Sequence, residues 1–263
     1  MESSALFRTN ELEFFYHRGG RRTHAVKSVS FNIDKGEILG IVGESGCGKS
    51  SLARLLAGLA MPDSGTMELE GKPLPYRRSR KQRREVQMVF QDPRSALNPR
   101  MTVLELISEG WSIHPEIAPA DRRQGAVDLL DKVGLGTDLL GRRPDQVSGG
   151  QAQRVGIARA LAVSPKLLIC DEAVSALDVS AQTQVLRLLA KIRQEMQLAI
   201  IFISHDLGVV RQISDRVAVM YFGEIVELEA TDDVFERPSH DYSRRLVSAA
   251  LDLSFDGSAE GEQ

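Results

Sequence analysis

Glycines and a lysine follow an apolar run in the stretch IVGESGCGKSSLARLLAGL, residues 41–59. Gly43, Gly48, Lys49 and Ser50 have the spacing of the P-loop pattern, between a predicted strand and a predicted helix. The glycines permit positive φ and a close approach of the backbone, so that amide N–H groups at the helix start can face an anion. Lys49 is expected to reach the β- and γ-phosphates of a nucleoside triphosphate, and Ser50 to bind Mg²⁺.

Two carboxylates stand at the end of another apolar run, KLLICDE, residues 166–172. Asp171 is the natural partner of the Mg²⁺ shell, through water, and Glu172 is placed to orient or deprotonate an attacking water. Taken alone, these two carboxylates fit a solvated strand end as well as a catalytic site. Together with a P-loop, they indicate catalysis. His205 follows the next apolar run, at the sheet edge where ligands bind, and is expected to contact the γ-phosphate.

The segments that must position these residues alternate between apolar runs and helical patterns. Helical spacing is present in LARLLAGL (52–59), and the predicted strands are EILGIV (37–42), VQMVF (86–90), KLLIC (166–170), LAIIFIS (198–204) and RVAVMY (216–221). Continuous apolar strands between helices favour a parallel sheet that is covered on both faces. The region from about 92 to 155 is rich in proline, has no convincing strand and is predicted to be a mostly helical insertion. The expected fold class is α/β.

Length and composition set broad limits on function. The 263 residues, 42% hydrophobic and 26% charged, fit one globular domain or a core domain with an inserted subdomain. The net charge of −3 indicates no overall electrostatic attraction to nucleic acid or anionic lipid. The two cysteines, Cys47 and Cys170, have no metal-type spacing. Without a signal-like start or an apolar run approaching roughly 18 residues, the chain is expected to be cytosolic, and docking on membrane proteins stays open.

A second glycine-containing turn begins VSGGQAQRVGIARALAVSP, residues 147–165, and forms a second candidate anion site. The order of P-loop, SGGQ, apolar strand ending in DE, SALD (175–178) and histidine resembles that of the ATP-binding-cassette (ABC) ATPases, over nearly the whole chain. This resemblance implies a P-loop NTPase (RecA-like) core with an antiparallel β subdomain and an inserted α-helical subdomain. The implied ATPase domain is 5–251, with its core at about 5–91 and 156–251, its helical insertion at about 92–155, and a disordered tail at 252–263.

The resemblance also implies the members of an ATP and Mg²⁺ site. The residues matching ATP-binding positions are Tyr16, Gly43, Glu44, Ser45, Gly46, Cys47, Gly48, Lys49, Ser50, Ser51 and Gln91. Tyr16 matches the aromatic residue that stacks on adenine, although Phe14 and Phe15 beside it leave this assignment open. The implied catalytic residues are Lys49, Glu172 and His205, and the implied Mg²⁺ ligands are Ser50, Gln91 and Asp171.

Further matches imply that two cassettes work together. The signature residues Ser148, Gly149, Gly150 and Gln151 match those that bind ATP held by the opposite subunit. Asp178 matches the loop that communicates across the dimer, so two cassettes would sandwich two nucleotides. Val147 departs from the pattern, in which leucine is more usual.

A narrower resemblance concerns the transported cargo. QMVFQDPRSALNPRMTV (87–103) and HDYSRRLVSAAL (240–251) resemble the ATPases of dipeptide, oligopeptide and nickel importers, and GESGCGKSSLARLL resembles the second ATPase of such pairs. Ala173 and Val174 stand where many relatives have Pro-Thr and resemble the nickel variant, so nickel or a chelated metal is favoured over peptide. The form His-Asp-Tyr-Ser at 240–243 replaces the commoner His-Pro-Tyr-Thr.

The resemblance implies the partners and location of such an ATPase. The expected partners are two transmembrane permease subunits, a second ABC ATPase and, through the complex, an external substrate-binding protein. A heterodimer of cassettes is expected and a homodimer stays open; nucleic acid is not an expected partner. The expected location is the cytoplasmic face of a bacterial inner membrane.

The alternative is a soluble, non-transport ABC ATPase acting on nucleic acid or ribosomes. Chromosome- and repair-type relatives separate the P-loop from the signature by a long coiled coil, and translation factors usually carry two cassettes, whereas this sequence has neither feature. A GTPase is disfavoured because no Asn-Lys-x-Asp segment is present.

Cys47 lies in the P-loop, near a predicted helix N-terminus and beside Lys49. Such an environment lowers a thiol pKa. We therefore expect a reactive thiol whose alkylation inhibits ATPase activity, with protection by Mg-ATP.

Overall fold

The computed structural model describes residues 5–19 and 21–256. The described residues up to Tyr76, together with those from Ile201 onward, form unit 1, and Arg77–Ile200 form unit 2. Unit 2 contains the helical region together with two of the predicted core strands, at 86–89 and 167–171. The predicted bounds of the core and the insertion stay a prediction.

The helices and strands follow one another in chain order as β1 (Phe7–Arg18), β2 (Arg21–Ile33), β3 (Ile38–Val42), α1 (Lys49–Leu56), β4 (Ser64–Leu69), β5 (Lys72–Pro73), α2 (Arg80–Glu85), β6 (Val86–Val89), α3 (Pro93–Ala96), α4 (Val103–Ile113), α5 (Arg122–Lys132), α6 (Gly149–Leu161), β7 (Leu167–Asp171), α7 (Val179–Met196), β8 (Ala199–Ile203), α8 (Leu207–Ile213), β9 (Arg216–Tyr221), β10 (Glu224–Ala230), α9 (Thr231–Glu236) and α10 (Asp241–Asp256). Three short 3-10 turns lie at Pro115–Ile117, Thr137–Leu139 and Pro144–Gln146. None of the described helices is both long enough and apolar enough to cross a lipid bilayer.

Unit 1 contains an antiparallel sheet in the order β2-β1-β4-β5. Its central strand β1 pairs on both sides, because Phe7 lies opposite Ile33 of β2 and opposite Leu69 of β4. A second set of strands holds the predicted nucleotide loop: β3 pairs in parallel with β9, and β9 pairs with β10 in the antiparallel sense. All five residues of β3 are buried, as expected for an apolar strand that is covered on both faces.

Unit 2 combines a parallel strand pair with helices. Strands β6 and β7 pair in register from Val86 opposite Leu167 to Val89 opposite Cys170. Every regular element between residues 92 and 155 is helical, and α4 packs on α6. The buried indole of Trp111 in α4 donates from Nε1 to the carbonyl oxygen of Ala162 over 2.8 Å, which fixes the end of α6 against α4.

The predicted tail at 252–263 overlaps the last helix. Residues 252–256 belong to α10, and 257–263 lie outside the described residues. Apolar residues recur with a helical period over residues 241–256. This pattern continues beyond residue 251, where the importer-like segment ends, and it favours a helix there.

Candidate active site

The P-loop connects the end of β3 to the start of α1, and its glycines have backbone geometry that other residues rarely adopt. Gly43 has φ 151° and Gly48 has φ 114°. A Cβ at Gly43 would lie 2.1 Å from the carbonyl oxygen of Met220, and one at Gly48 would lie 2.3 Å from that of Ala25. Both positions therefore require glycine, for φ and for the close approach of two backbones.

Lys49 is the first residue of α1 and is only 5% exposed. Its ammonium Nζ donates to the carbonyl oxygens of Gly43 over 2.7 Å and of Glu44 over 2.9 Å. The loop thus bends around its own lysine. The crest of the loop faces solvent, since Glu44, Ser45, Gly46 and Ser50 are all exposed, and this leaves the backbone there accessible to an anion.

The aromatic residues of β1 have different surroundings. Tyr16 is 41% exposed, and its Oη lies 3.2 Å from Ser51 Oγ in α1. The ring of Phe15 stacks on His24 with 3.9 Å between centroids, and Arg22 Cζ lies 3.5 Å from the Phe15 centroid. Phe15 is therefore covered by other side chains, whereas Tyr16 is exposed beside the P-loop helix.

His205 is exposed and lies two positions beyond the end of β8, after Ser204. The amide of Ser204 donates to the carbonyl oxygen of Ile41 over 3.2 Å, so the turn that carries His205 begins beside the strand leading into the P-loop. Asp206 then caps α8 by accepting from the amide of Val209 over 3.1 Å. The histidine is therefore held between a fixed strand end and a capped helix.

The predicted carboxylates lie in unit 2, at the end of β7. Asp171 is its last residue and is 8% exposed. Glu172 follows with φ 48°, in the left-handed region. Gln91 Nε2 donates to Glu172 Oε2 over 2.8 Å, and Ser175 Oγ donates to the Glu172 carbonyl oxygen over 3.0 Å. The hydrogen bond between their side chains brings together two of the predicted site residues, Gln91 and Glu172.

The signature turn forms a capped helix start in unit 2. The amide of Gln151 donates to Ser148 Oγ over 3.2 Å, and the amide of Ser148 donates to Gln151 Oε1 over 2.9 Å. This reciprocal capping box satisfies two amides at the start of the 13-residue helix α6. The helix begins with Gly149 and Gly150, so its first turn carries no bulky side chain there.

Asp178 caps the neighbouring helix α7, since its Oδ1 accepts from the amide of Ala181 over 2.9 Å and from Ser180 Oγ over 2.7 Å. These hydrogen bonds, led by that of Ala181, lower the pKa of the Asp178 carboxyl. A Cβ on Gly150 would lie 3.0 Å from the Ala181 Cβ. The signature helix and the Asp178 turn are therefore in close contact.

The expectation that Cys47 has a lowered pKa is wrong. The residue is 7% exposed, and burial raises the pKa of its thiol, outweighing the opposite influence of the Lys49 ammonium. Lys49 Nζ lies 3.9 Å from Cys47 Sγ but also binds two carbonyl oxygens. The sequence shows that the lysine is near, but it does not show how far the thiol is desolvated.

The residues available for Mg²⁺ and a nucleotide fit those groups chemically. Ser50, Gln91 and Asp171 offer hydroxyl, amide and carboxylate oxygens, the ligand types that Mg²⁺ prefers. At Gly43 and Gly48 the P-loop backbone lies too close to the carbonyl oxygens of Met220 and Ala25 to accommodate a Cβ, whereas its crest at Ser45 and Gly46 is exposed and can face an anion. The P-loop, Tyr16 and His205 belong to unit 1, whereas Gln91, Asp171, Glu172, Asp178 and the signature belong to unit 2.

Sequence reasoning missed one contact of the P-loop. Tyr242 of α10 accepts a hydrogen bond at Oη from the amide of Glu44 over 3.0 Å. The two residues are 198 positions apart, and the only sequence signal was that Tyr242 lies in the importer-like segment HDYSRRLVSAAL.

Comparisons with known proteins agree with this architecture. The family model described as ABC transporter matches residues 26–175. The chain is 52% identical over 229 residues to the probable peptide ABC transporter ATP-binding protein y4tS of Sinorhizobium fredii, covering 86% of this chain and 65% of that one. It is 50% identical over 229 residues to the oligopeptide transport ATP-binding protein OppF of Salmonella typhimurium, covering 86% of this chain and 69% of that one.

A solved structure supports the fold. The ATP-binding cassette MJ0796, in a dimeric post-hydrolysis state bound to ADP and Pi, superposes with a TM-score of 0.77 at 29% identity, over 86% of this chain and 98% of that one. The predicted fold class is confirmed: a P-loop NTPase of the ABC cassette type with an antiparallel β subdomain and a helical subdomain. The preference for nickel has no such support, because these relatives are named for peptides. The chain belongs to the ABC transporter family.

Proposed function

We propose that this chain is the ATPase subunit of a peptide importer, in which binding of ATP closes a pair of cassettes and hydrolysis reopens them. The observation that carries the hydrolytic part is the 2.8 Å hydrogen bond from Gln91 to Glu172. It joins the residue matching the γ-phosphate sensor to the residue matching the general base. The cargo follows from similarity to relatives named for peptide and oligopeptide transport.

Nucleotide binding is the task of unit 1. The amides of the P-loop and the start of α1 bind phosphate oxygens, and Lys49 exchanges the carbonyl oxygens of Gly43 and Glu44 for the β- and γ-phosphates. Tyr16 stacks on adenine. Ser50, Gln91 and Asp171 have the oxygen ligands that would hold Mg²⁺, which would supply charge neutralisation at the phosphates.

Hydrolysis requires a general base, a hydrogen-bond donor to the γ-phosphate and a fixed geometry. Glu172 accepts a proton from the attacking water, and Gln91 positions the carboxylate until nucleotide engages the amide. His205 donates a hydrogen bond to the γ-phosphate. Because phosphoryl transfer is catalysed mostly by positioning and charge neutralisation, these groups act only when the water and the phosphate are aligned.

Dimer closure uses the signature of the opposite cassette. Ser148 and the amides of Gly149 and Gly150 lie at the capped start of α6, where a helix N-terminus favours an anion. In the closed dimer this helix start contacts the γ-phosphate held by the other P-loop, and Asp178 contacts the opposite subunit. The solved cassette named above is itself dimeric.

The proposed complex contains two transmembrane permeases, a second cassette and an external peptide-binding protein, with this chain at the cytoplasmic face of the membrane. The second cassette is a sibling chain rather than a second copy of this one, because GESGCGKSSLARLL resembles the second ATPase of importer pairs. Nickel import, favoured by Ala173 and Val174, is the competing cargo.

Uptake measurements test this function. Cells lacking this chain are complemented with the wild type or with Lys49→Ala, and uptake of a radiolabelled tripeptide and of radioactive Ni²⁺ is measured in parallel. Peptide uptake restored by the wild type alone supports the proposal. If the wild type restores uptake of Ni²⁺ but not of peptide, the assigned cargo is nickel and the peptide proposal is wrong.

Affinity purification in mild detergent tests the assembly. Recovery of two multi-spanning permeases and a second cassette with the tagged full chain supports an importer. Recovery of ribosomes or DNA-bound proteins without permeases would favour the soluble alternative and overturn the transport role.

A further inference from the structure

Tyr242 is a buried residue of α10 that contacts the P-loop. It is 3% exposed, and its Oη accepts a hydrogen bond from the amide of Glu44 over 3.0 Å. Its ring stacks on that of Tyr221, the last residue of β9, with 4.0 Å between centroids and 28° between planes. The hydroxyl is thus aimed at one backbone amide by a ring that is itself packed in place.

Glu44 is bonded through both of its backbone groups. Its amide donates to Tyr242, whereas its carbonyl oxygen accepts from Lys49 Nζ over 2.9 Å. Movement of Glu44 therefore changes the position of an oxygen that competes with phosphate for the lysine. The hydrogen bonds thus link Tyr242 to Glu44 and Glu44 to Lys49, and Tyr242 fixes the position of the Glu44 amide.

The rest of the loop is held by the end of β9 and by the turn that follows it. The amide of Gly223 donates to the carbonyl oxygen of Cys47 over 2.8 Å. Gly43 lies so close to Met220 that a Cβ would be 2.1 Å from the Met220 carbonyl oxygen. These contacts restrain the start and the middle of the loop, whereas the exposed residue between them, Glu44, is restrained by Tyr242.

The start of α10 is itself fixed by a buried carboxylate. Glu227 of β10 is 6% exposed, and its two oxygens accept from the amides of Ser239 over 2.8 Å and His240 over 3.2 Å. These hydrogen bonds outweigh the opposing effect of desolvation, and the pKa of Glu227 is lowered. The amide of Tyr242 donates to His240 Nδ1 over 3.1 Å. Tyr242 therefore has a defined position before any nucleotide arrives.

We propose that Tyr242 is a positioning residue for ATP binding, acting through the amide of Glu44 on the P-loop and on Lys49. The proposal rests on the ATP-binding role given above and adds to it a link between the loop and the C-terminal helix α10. It assigns a task to the tyrosine of the importer-like segment at residues 240–251. Tyr242 does not need to contact the nucleotide, because it sets the loop that does.

Tyr242→Phe removes the hydroxyl and keeps the stacked ring. Loss of this acceptor leaves the Glu44 amide without its partner, a change of the size of one hydrogen bond. We expect the Kd for ATP, measured by isothermal titration calorimetry with the purified full chain, to rise about fivefold to tenfold. In the assembled transporter we expect KM for ATP to rise by a similar factor and kcat at saturating ATP to stay within about twofold.

Amide hydrogen exchange gives a readout that does not depend on activity. In Tyr242→Phe the amide of Glu44 should exchange at least about tenfold faster than in the wild type, because its acceptor is gone. The amide of Gly223, which donates to Cys47, should keep its protection. Equal protection of Glu44 in both proteins would overturn the proposal.

Two further variants separate the possible outcomes. Tyr221→Phe is the matched control, since it removes a hydroxyl from the other ring of the same stacked pair, and its Kd should equal that of the wild type. Lys49→Ala should abolish ATP binding; if it binds like the wild type, the proposed ATP site fails, whatever Tyr242 does. If Tyr242→Phe lowers the unfolding midpoint but leaves Kd and KM unchanged, Tyr242 is only structural and the inference is wrong.

Discussion

Gln91 and Glu172 leave two neighbouring parallel strands at the same level and meet over a 2.8 Å hydrogen bond. The register of β6 and β7 places Val89 opposite Cys170, and each of the two site residues lies two positions beyond that pair. The amide Nε2 of Gln91 donates to Glu172 Oε2 and lies 3.4 Å from Ser175 Oγ. In the proposed mechanism this oxygen accepts a proton from water, so Gln91 must first turn away from Glu172 and toward the nucleotide.

Replacing Glu172 by glutamine removes the negative charge and the proton acceptor while it keeps the size of the side chain. We expect the rate of phosphate release to fall at least about 100-fold, the range associated with loss of a general base. ATP binding should persist, so dimers should accumulate with ATP and be visible by light scattering after gel filtration. Glu195→Gln is the control, because Glu195 in α7 pairs only with Lys191 at the surface among the ion pairs of the described chain. Normal turnover in Glu172→Gln would remove the general-base assignment.

Gly48→Ala should destabilise the protein. The residue has φ 114°, and the new Cβ would lie 2.3 Å from the carbonyl oxygen of Ala25. We expect the free energy of unfolding in urea to fall by at least about 2 kcal/mol, from backbone strain and steric overlap. Gly141→Ala is the matched control, since a Cβ there has no atom within 4 Å, and it should change the free energy of unfolding by less than about 0.5 kcal/mol. Equal stability of the two variants would contradict the geometry of the loop.

Ser148→Ala should affect both stability and dimerisation. The side chain caps α6 by accepting from Gln151, and loss of such a cap costs about 1 kcal/mol. Thr102→Ala removes an equivalent cap from α4, where Thr102 Oγ1 accepts from the amide of Glu105 over 3.3 Å. Thr102→Ala should lose at least as much free energy of unfolding as Ser148→Ala, because Thr102 Oγ1 also donates to Glu105 Oε2 over 2.9 Å. Only Ser148→Ala should also reduce ATP-dependent dimerisation; an equal reduction in Thr102→Ala would show that stability alone is responsible.

The two cysteine thiols should react slowly in the folded protein. Burial raises the pKa of the Cys47 thiol and raises that of Cys170 to about 12. At a given pH a raised pKa means a smaller fraction of thiolate, the species that iodoacetamide attacks. At pH 8 we expect mass spectrometry to show slower labelling of both thiols than of free glutathione, with Cys170 the slowest, and fast labelling in urea. Native labelling of Cys47 at the glutathione rate would restore the reactive-thiol hypothesis.

Local patterns predicted many of the elements that hold the site. The apolar run at 198–204 became β8, because a run of that composition is stable only as a buried strand or helix and its length favours a strand. The P-loop spacing predicted a loop between β3 and α1, which the structure contains. By contrast, β1, β2, β4 and β5 followed only from the family resemblance, since their exposed faces interrupt the apolar pattern.

The sequence by itself determined the features that depend on neighbours along the chain. The glycine spacing of the P-loop and the serine and aspartate before α6 and α7 are of this kind, because a turn or a helix cap forms among residues three or four positions apart. Only the tertiary structure decided the others: that Tyr16 contacts the P-loop helix, that Tyr242 binds Glu44, and that burial outweighs Lys49 at the Cys47 thiol. Each of these depends on which distant segments of the chain pack together. That packing decides which groups come into contact and how far water is excluded from them, and spacing along the chain does not.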